Sequence, residues 1–266
     1  MYVIKASGEK QKFMPEKIYG TLIRSGADEK VAKQIVSHIK KEVYDGISTS
    51  KILDHALDLL KGQKPEIYAR YDLKRAIMNL GPTGFPFEKF FAEVLKNYGY
   101  EVKTDQVIKG KIITHEVDVI ARKKLDYYIE CKYHNTPGIY TDVKVALYVY
   151  AAFLDMKDKF DVAWIATNTK CSSQAIQYAE GTKMKITSWE YPNGESLRDL
   201  IEGKKLYPLT ILRSLNNESN IKLSNTGIFM AKDLINANFS ELKSRTKLPE
   251  NILQKLINEA KSVCNE

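Results

Sequence analysis

The chain has 266 residues, 44% of them hydrophobic and 28% charged, a balance that supports a well-buried core and excludes a disordered chain. No apolar run approaches the roughly 20 residues a membrane span needs, and "MYVIKASGEK" lacks the apolar stretch of a secretory signal, so a cytoplasmic protein without a membrane partner is expected. The formal net charge of +8 has its basic surplus in the two flanks of the chain, which is compatible with a phosphate-bearing partner.

"YVIKASGEKQKF" predicts a β-hairpin turning at Ser7-Gly8. Four helical patterns follow. Pro15 opens the first and Gly26 closes it; the second carries Val31, Ile35, Val36, Ile39 and Val43 on one stripe before Gly46. Ser48, Thr49 and Ser50 are N-cap candidates for the third, "KILDHALDLLKG", and "PEIYARYDLKRAIMNL" is the fourth. "GPTGFP" (81–86) marks a linker. After it come an amphipathic helix ending at Gly99, three strand-like runs, an apolar helix, a buried strand "FDVAWIAT", a serine-capped helix and a last strand "MKITSWEY". The rest is helical, with a helical hairpin turning near Leu248-Pro249. The expected boundaries are 1–80, 84–200 and 201–266, the middle domain a mixed α/β sheet and the others mostly α. Cys131, Cys171 and Cys264 are too widely spaced for a CxxC or Cys/His cluster and predict buried free thiols.

Charge placement in "HEVDVIARKKLDYYIECKYH" (115–134) points to chemistry. Alternation puts Glu116 and Asp118 on one face of the first strand, and Tyr128, Glu130 and Lys132 on one face of the next. Charged side chains enter a core only when paired or holding an ion. If the strands form a hairpin through "RKKLD", the carboxylates converge, and a hard cation such as Mg²⁺ favours that set of oxygens. Lys132 then offsets charge growing on a phosphate, so these residue types fit metal-assisted phosphodiester hydrolysis. A structural ion pair between Glu130 and Lys132 is the bland alternative. Lys144 reads as solvent-facing or a DNA phosphate contact, and His115 and His134 as local hydrogen-bonding residues.

Asp118, eleven intervening residues, then Glu130-Cys131-Lys132 resembles the signature of restriction-endonuclease-like nucleases of the PD-(D/E)xK superfamily, in their Mrr-like branch, over roughly residues 84–200. The resemblance implies Asp118 and Glu130 as metal ligands (Mg²⁺ or Mn²⁺), Lys132 as a catalytic residue, Glu88 on the preceding helix as a further acidic residue, DNA as substrate, and a homodimer for a double-strand break. "ITHEV" stands where relatives often show a glycine.

The opening "VIKASGEKQKFMPEKI" resembles the ATP-cone, a nucleotide-binding regulatory module of one hairpin and about four helices. Val3, Lys5, Gly8, Phe13, Lys17 and Ile18 fall on its pattern, which implies ATP or dATP as effector, with Lys5 and Lys17 suited to neutralising phosphates. Ala6 replaces an arginine usual in the family, removing a bidentate phosphate grip. No GxxxxGK[ST] loop occurs, so nucleotide acts as effector and not as fuel. The expectation is a divalent-metal-dependent DNA endonuclease regulated by ATP or dATP. The alternatives are a non-catalytic, nucleotide-responsive DNA-binding regulator and a structure-selective junction or repair nuclease.

Overall fold

The computed structural model describes residues 1–60, 65–81 and 83–264; Lys61 and Gly62 at the end of the third helical pattern and Pro82 of the expected linker lie outside the described residues. The chain divides into two compact units, one formed by Met1–Ile77 with Tyr207–Glu266 and the other by Met78–Leu206.

In the first unit β1 (Tyr2–Ile4) and β2 (Lys10–Lys12) form the hairpin, with Gly8 at φ 82 where the turn needs a left-handed residue. Then follow α1 (Pro15–Arg24), α2 (Glu29–Glu42), β3 (Ile47–Ser48), α3 (Thr49–Leu60), α4 (Pro65–Tyr71) and α5 (Leu73–Met78). Asp28 caps α2 by accepting from the Val31 N–H at 2.8 Å, and Ser48 accepts from the Lys51 N–H at 3.2 Å at the start of α3. Two expectations are corrected. The fourth helix is two, broken at Asp72, a residue type that favours caps over helix interiors and whose carbonyl starts the next turn. Ser48, read only as a cap candidate, also forms with Ile47 a strand that pairs parallel with β1, too short for periodicity to reveal. Val3, Leu22, Ile35, Ile39, Ile47, Ala56 and Leu60 make the core.

The second unit begins with α6 (Phe85–Asn97), whose Phe87, Phe90, Phe91, Val94 and Leu95 are all buried, each contributing about 1.5–3 kcal/mol. β4 (Glu101–Lys109), β5 (Thr114–Arg122), β6 (Asp126–Lys132), β7 (Tyr140–Thr141), α7 (Val143–Asp155), β8 (Val162–Thr167), β9 (Lys170–Cys171), α8 (Ser173–Thr182), β10 (Lys185–Thr187) and α9 (Leu197–Lys204) complete it. The sheet order is β10-β8-β6-β5-β4; β4, β5 and β6 are antiparallel neighbours, and β8 and β10 add in parallel. β7 and β9 form a small separate pair that the sequence did not signal. Alternation along β8 sends Trp164 to one face, where it meets Phe91 of α6 edge-on at 5.8 Å. Ala163 and Ile165 go to the other, into a core shared with α7 and α8. This is the mixed α/β sheet flanked by helices that the sequence predicts.

The C-terminal helices, α10 (Asn217–Ser224), α11 (Ala231–Asn236), α12 (Phe239–Thr246) and α13 (Glu250–Cys264), return to the first unit. There Ser262 donates to Glu66 at 3.0 Å, the Arg213 guanidinium lies 4.5 Å from the Tyr68 ring centre, and Thr210 donates to the Ala76 carbonyl at 2.6 Å. A cavity of about 860 Å³ opens between α4 and α13, lined in part by Glu66, Arg213, Lys255 and Asn258. The three cysteines are free and buried, and among the described residues no helix is long and apolar enough to cross a membrane.

Candidate functional site

The carboxylates lie where the sheet comes apart. The β5–β6 ladder pairs Val119 with Ile129 and stops, one position short of Asp118 and Glu130, whereas β6 stays paired with β8 as far as Lys132 and Thr167. The β4–β5 ladder steps from Thr104↔Val119 to Gln106↔Val117, passing over Asp105 and Asp118. Asp105 there has φ 54, left-handed inside a strand; such a conformation costs an L-residue roughly 1 kcal/mol and is best tolerated by Asp or Asn. Asp118 is thus released from the ladder on both sides, and its Oδ2 accepts the Cys131 N–H at 2.7 Å in place of a backbone carbonyl.

Glu130 is only 7% exposed, and both its oxygens are engaged. Oε1 accepts from the Lys132 ammonium at 2.6 Å, and Oε2 from the hydroxyl of fully buried Tyr128 at 3.0 Å. Glu88, in the first turn of α6, folds back towards Gly84, where a Cβ would lie 3.2 Å from its Oε1. Phe87 stacks on Tyr133 at 5.8 Å, and the Tyr133 hydroxyl donates to the Met78 carbonyl.

Electrostatics ties these groups together. Burial, reinforced by the charge of Glu130, pushes Asp118 up to about 6 against the hydrogen bond from Cys131 and the charge of Lys132. Burial also lifts Glu88 to about 7, with Asp118, Asp105 and Glu130 all adding to the rise. Lys132 is driven down by burial, but its hydrogen bond to Glu130 and the nearby carboxylates raise it on balance, so it stays an ammonium. Burial pushes the Tyr128 phenol and the Cys131 thiol up, keeping both protonated as ordinary donors.

The sequence-derived set Glu88, Asp118, Glu130 and Lys132 therefore converges. Glu116 stays exposed on β5, and Lys144 is exposed in the first turn of α7. His115 pairs with Asp155 at 2.8 Å, while the His134 backbone exchanges hydrogen bonds with the Asn168 side chain. Sequence reasoning missed Asp105 and its partner Lys89. The one signal available was an aspartate inside a strand that is otherwise β-forming. Among the described residues no group of three or more His, Cys, Asp or Glu forms a ready-made metal cage. Two mutually repelling carboxylates, Glu130 buried and Asp118 half-buried, are chemically suited instead to a hard cation that keeps several waters.

On the hairpin, Lys5 pairs with Glu9 at 2.9 Å and Lys17 is exposed in the first turn of α1. Val3 is buried and Ile18 packs against the core, so these two serve the fold beneath that surface.

The comparisons with known proteins divide the chain into three consecutive stretches. The ATP cone domain family matches residues 1–78, the Mrr-type restriction endonuclease family residues 82–201, and the AF1548-like C-terminal family residues 207–264. An uncharacterized protein of Archaeoglobus fulgidus is 40% identical over 174 residues, 65% of this chain and 98% of its own length. The chain belongs to the AF1548-like family. The crystal structure of AF1548, a protein of unknown function, is similar with a TM-score of 0.62 at 37% identity, covering 69% of this chain and 99% of that one. This AF1548-like chain joins an ATP cone to a restriction-endonuclease-like domain.

Proposed function

We propose that this AF1548-like protein is a DNA endonuclease that hydrolyses phosphodiester bonds with a divalent cation, Mg²⁺ or Mn²⁺, and is regulated by ATP or dATP on its cone. The observation that carries the reading is the gathering of Asp118, Glu130, Glu88 and Lys132 where β5 and β6 part. Asp118 and Glu130 would hold the cation, which when bound supplies charge stabilisation and a more acidic water. Tyr128 and Lys132 fix the Glu130 carboxylate, so its oxygens need no reorganisation when a cation arrives. The Lys132 ammonium, held charged, stabilises negative charge growing on the phosphate. Glu88, titrating near neutrality, completes the acidic set and can take up or release a proton at working pH.

On the cone, Lys5 and Lys17 would meet the phosphates and the Gly8 turn would cover them, with Lys5 exchanging its Glu9 partner for the ligand. Two copies of the chain, as a homodimer, would serve a double-strand break. The test is cleavage of plasmid, linear and branched DNA with Mg²⁺ or Mn²⁺, with and without ATP, by wild type and Asp118→Ala. Cutting by wild type alone supports the reading, and an ATP effect on it assigns the cone. A strong preference for branched substrates makes it a junction or repair nuclease. DNA binding without cutting by either protein overturns the nuclease in favour of a binding regulator.

A further inference from the structure

Asp105 and Lys89 lie outside the acid and lysine set used above, yet they join the two elements whose spacing that set depends on. Lys89 follows Glu88 directly on α6, and its ammonium donates to both the Asp105 carboxylate and the Thr104 hydroxyl on β4 while resting 4.8 Å from the Phe85 ring centre. Asp105 occupies the ladder position across from Asp118, since its neighbours pair as Thr104↔Val119 and Gln106↔Val117, and it is left-handed at φ 54. Successive helical residues point about 100° apart. One turn of α6 can therefore send Glu88 towards Asp118 and Lys89 towards the strand beside it. The Lys89 side chain is 21% exposed and that of Asp105 43%, so the pair lies at the surface, and its cation, held also by the Thr104 hydroxyl and the Phe85 ring, is the more shielded partner.

We infer that Lys89 and Asp105 form a latch that holds the start of α6 against the interrupted stretch of β4, and so sets where Glu88 stands relative to Asp118. Both are positioning residues, and neither touches the reacting phosphate. The role deepens the nuclease reading and rests on it for its consequence in catalysis, whereas the latch is also measurable without turnover.

The experiment compares wild type, Lys89→Met, Asp105→Asn, the double variant and the charge swap Lys89→Asp/Asp105→Lys. Asn tolerates the left-handed backbone as Asp does, so Asp105→Asn reports on charge. Two readouts are taken: amide hydrogen exchange over residues 85–91, and cleavage kinetics across a Mg²⁺ series. Each single variant should speed exchange in that turn and leave the rest of α6 protected. It should lower kcat about ten- to a hundredfold, the scale on which loss of orientation acts, with KM for DNA unchanged and the Mg²⁺ saturation curve moved to higher concentration. The double variant should be no worse than the poorer single, and the swap should regain part of the loss, as expected of one shared interaction. Unchanged exchange in both single variants overturns the latch, whatever cleavage does. So does an Asp105→Asn defect that Lys89→Met does not share, which would make Asp105 a carboxylate acting on its own. Faster exchange in a protein whose wild type cuts no substrate keeps the latch and sinks the nuclease reading instead.

Discussion

The carboxylate site and the cone hairpin both gather charge, and they do so at opposite physical extremes. Where the sheet of the restriction-endonuclease-like domain comes apart, Glu130 is buried, Asp118 is pushed up by burial and by Glu130, Glu88 by burial and by Asp118, and Asp105 holds a left-handed backbone within a strand. On the hairpin, Lys5 and Glu9 form a partly exposed i,i+4 pair beside a turn whose left-handed residue is a glycine. The first arrangement costs stability, and on the proposed function it is set for a cation before one arrives. The second costs almost nothing and waits for its ligand to rearrange it.

The sharpest way to break this contrast is to remove the repulsion. Asp118→Asn keeps an acceptor for the Cys131 N–H and deletes a charge; it should lower cleavage at least a thousandfold and yet stabilise the metal-free protein at pH 8 by about 1 kcal/mol. Cleavage kinetics check the first half, and thermal unfolding without metal checks the second. The sign with pH follows. Because the folded protein binds protons to Asp118 and Glu88 more tightly than the unfolded chain does, these groups favour the folded state as pH falls from about 7 towards 4, without metal. Metal binding requires the same groups deprotonated, so stabilisation by Mn²⁺ should grow from pH 5.5 to pH 8. A stabilisation that is flat with pH would show that these carboxylates do not take the ion.

A smaller effect is expected from the support under Glu130. Tyr128→Phe removes the donor to Oε2 without changing the ring, and should cost about 1 kcal/mol of stability and about tenfold in cleavage. Wild-type cleavage in that variant would mean that Lys132 alone orients the carboxylate. The smallest structural perturbation belongs to the hairpin. Glu9→Gln should leave the melting temperature within a degree or two, as an exposed pair is worth about 0–1 kcal/mol, and tighten ATP binding severalfold by unburdening Lys5. Calorimetric titration with ATP reads this directly, and weaker binding would place Lys5 away from the phosphates.

Asp118, Glu130 and Lys132 were legible because charges recurring on one face of otherwise apolar strands are a local signal, whereas Glu88 was reached only through the family resemblance. The parting of β5 from β6 was not legible, since where a ladder stops depends on both partners. Nor was the latch: Lys89 reads as any solvent-facing lysine until folding brings β4 alongside. The break at Asp72 was hidden by an unbroken helical pattern. The return of α13 to α4 rests on pairs such as Ser262 with Glu66, which no sequence window contains.

That return gives the first unit a timing problem. Its two pieces, Met1–Ile77 and Tyr207–Glu266, are separated in sequence by the whole of the second unit. At 5–20 residues per second, a ribosome takes on the order of ten seconds to make the intervening stretch. For that interval the nascent cone presents the α4 side to chaperones without the helices that will cover it. Completion of this unit therefore waits until Tyr207–Glu266 has been made, after the intervening sheet has had time to form.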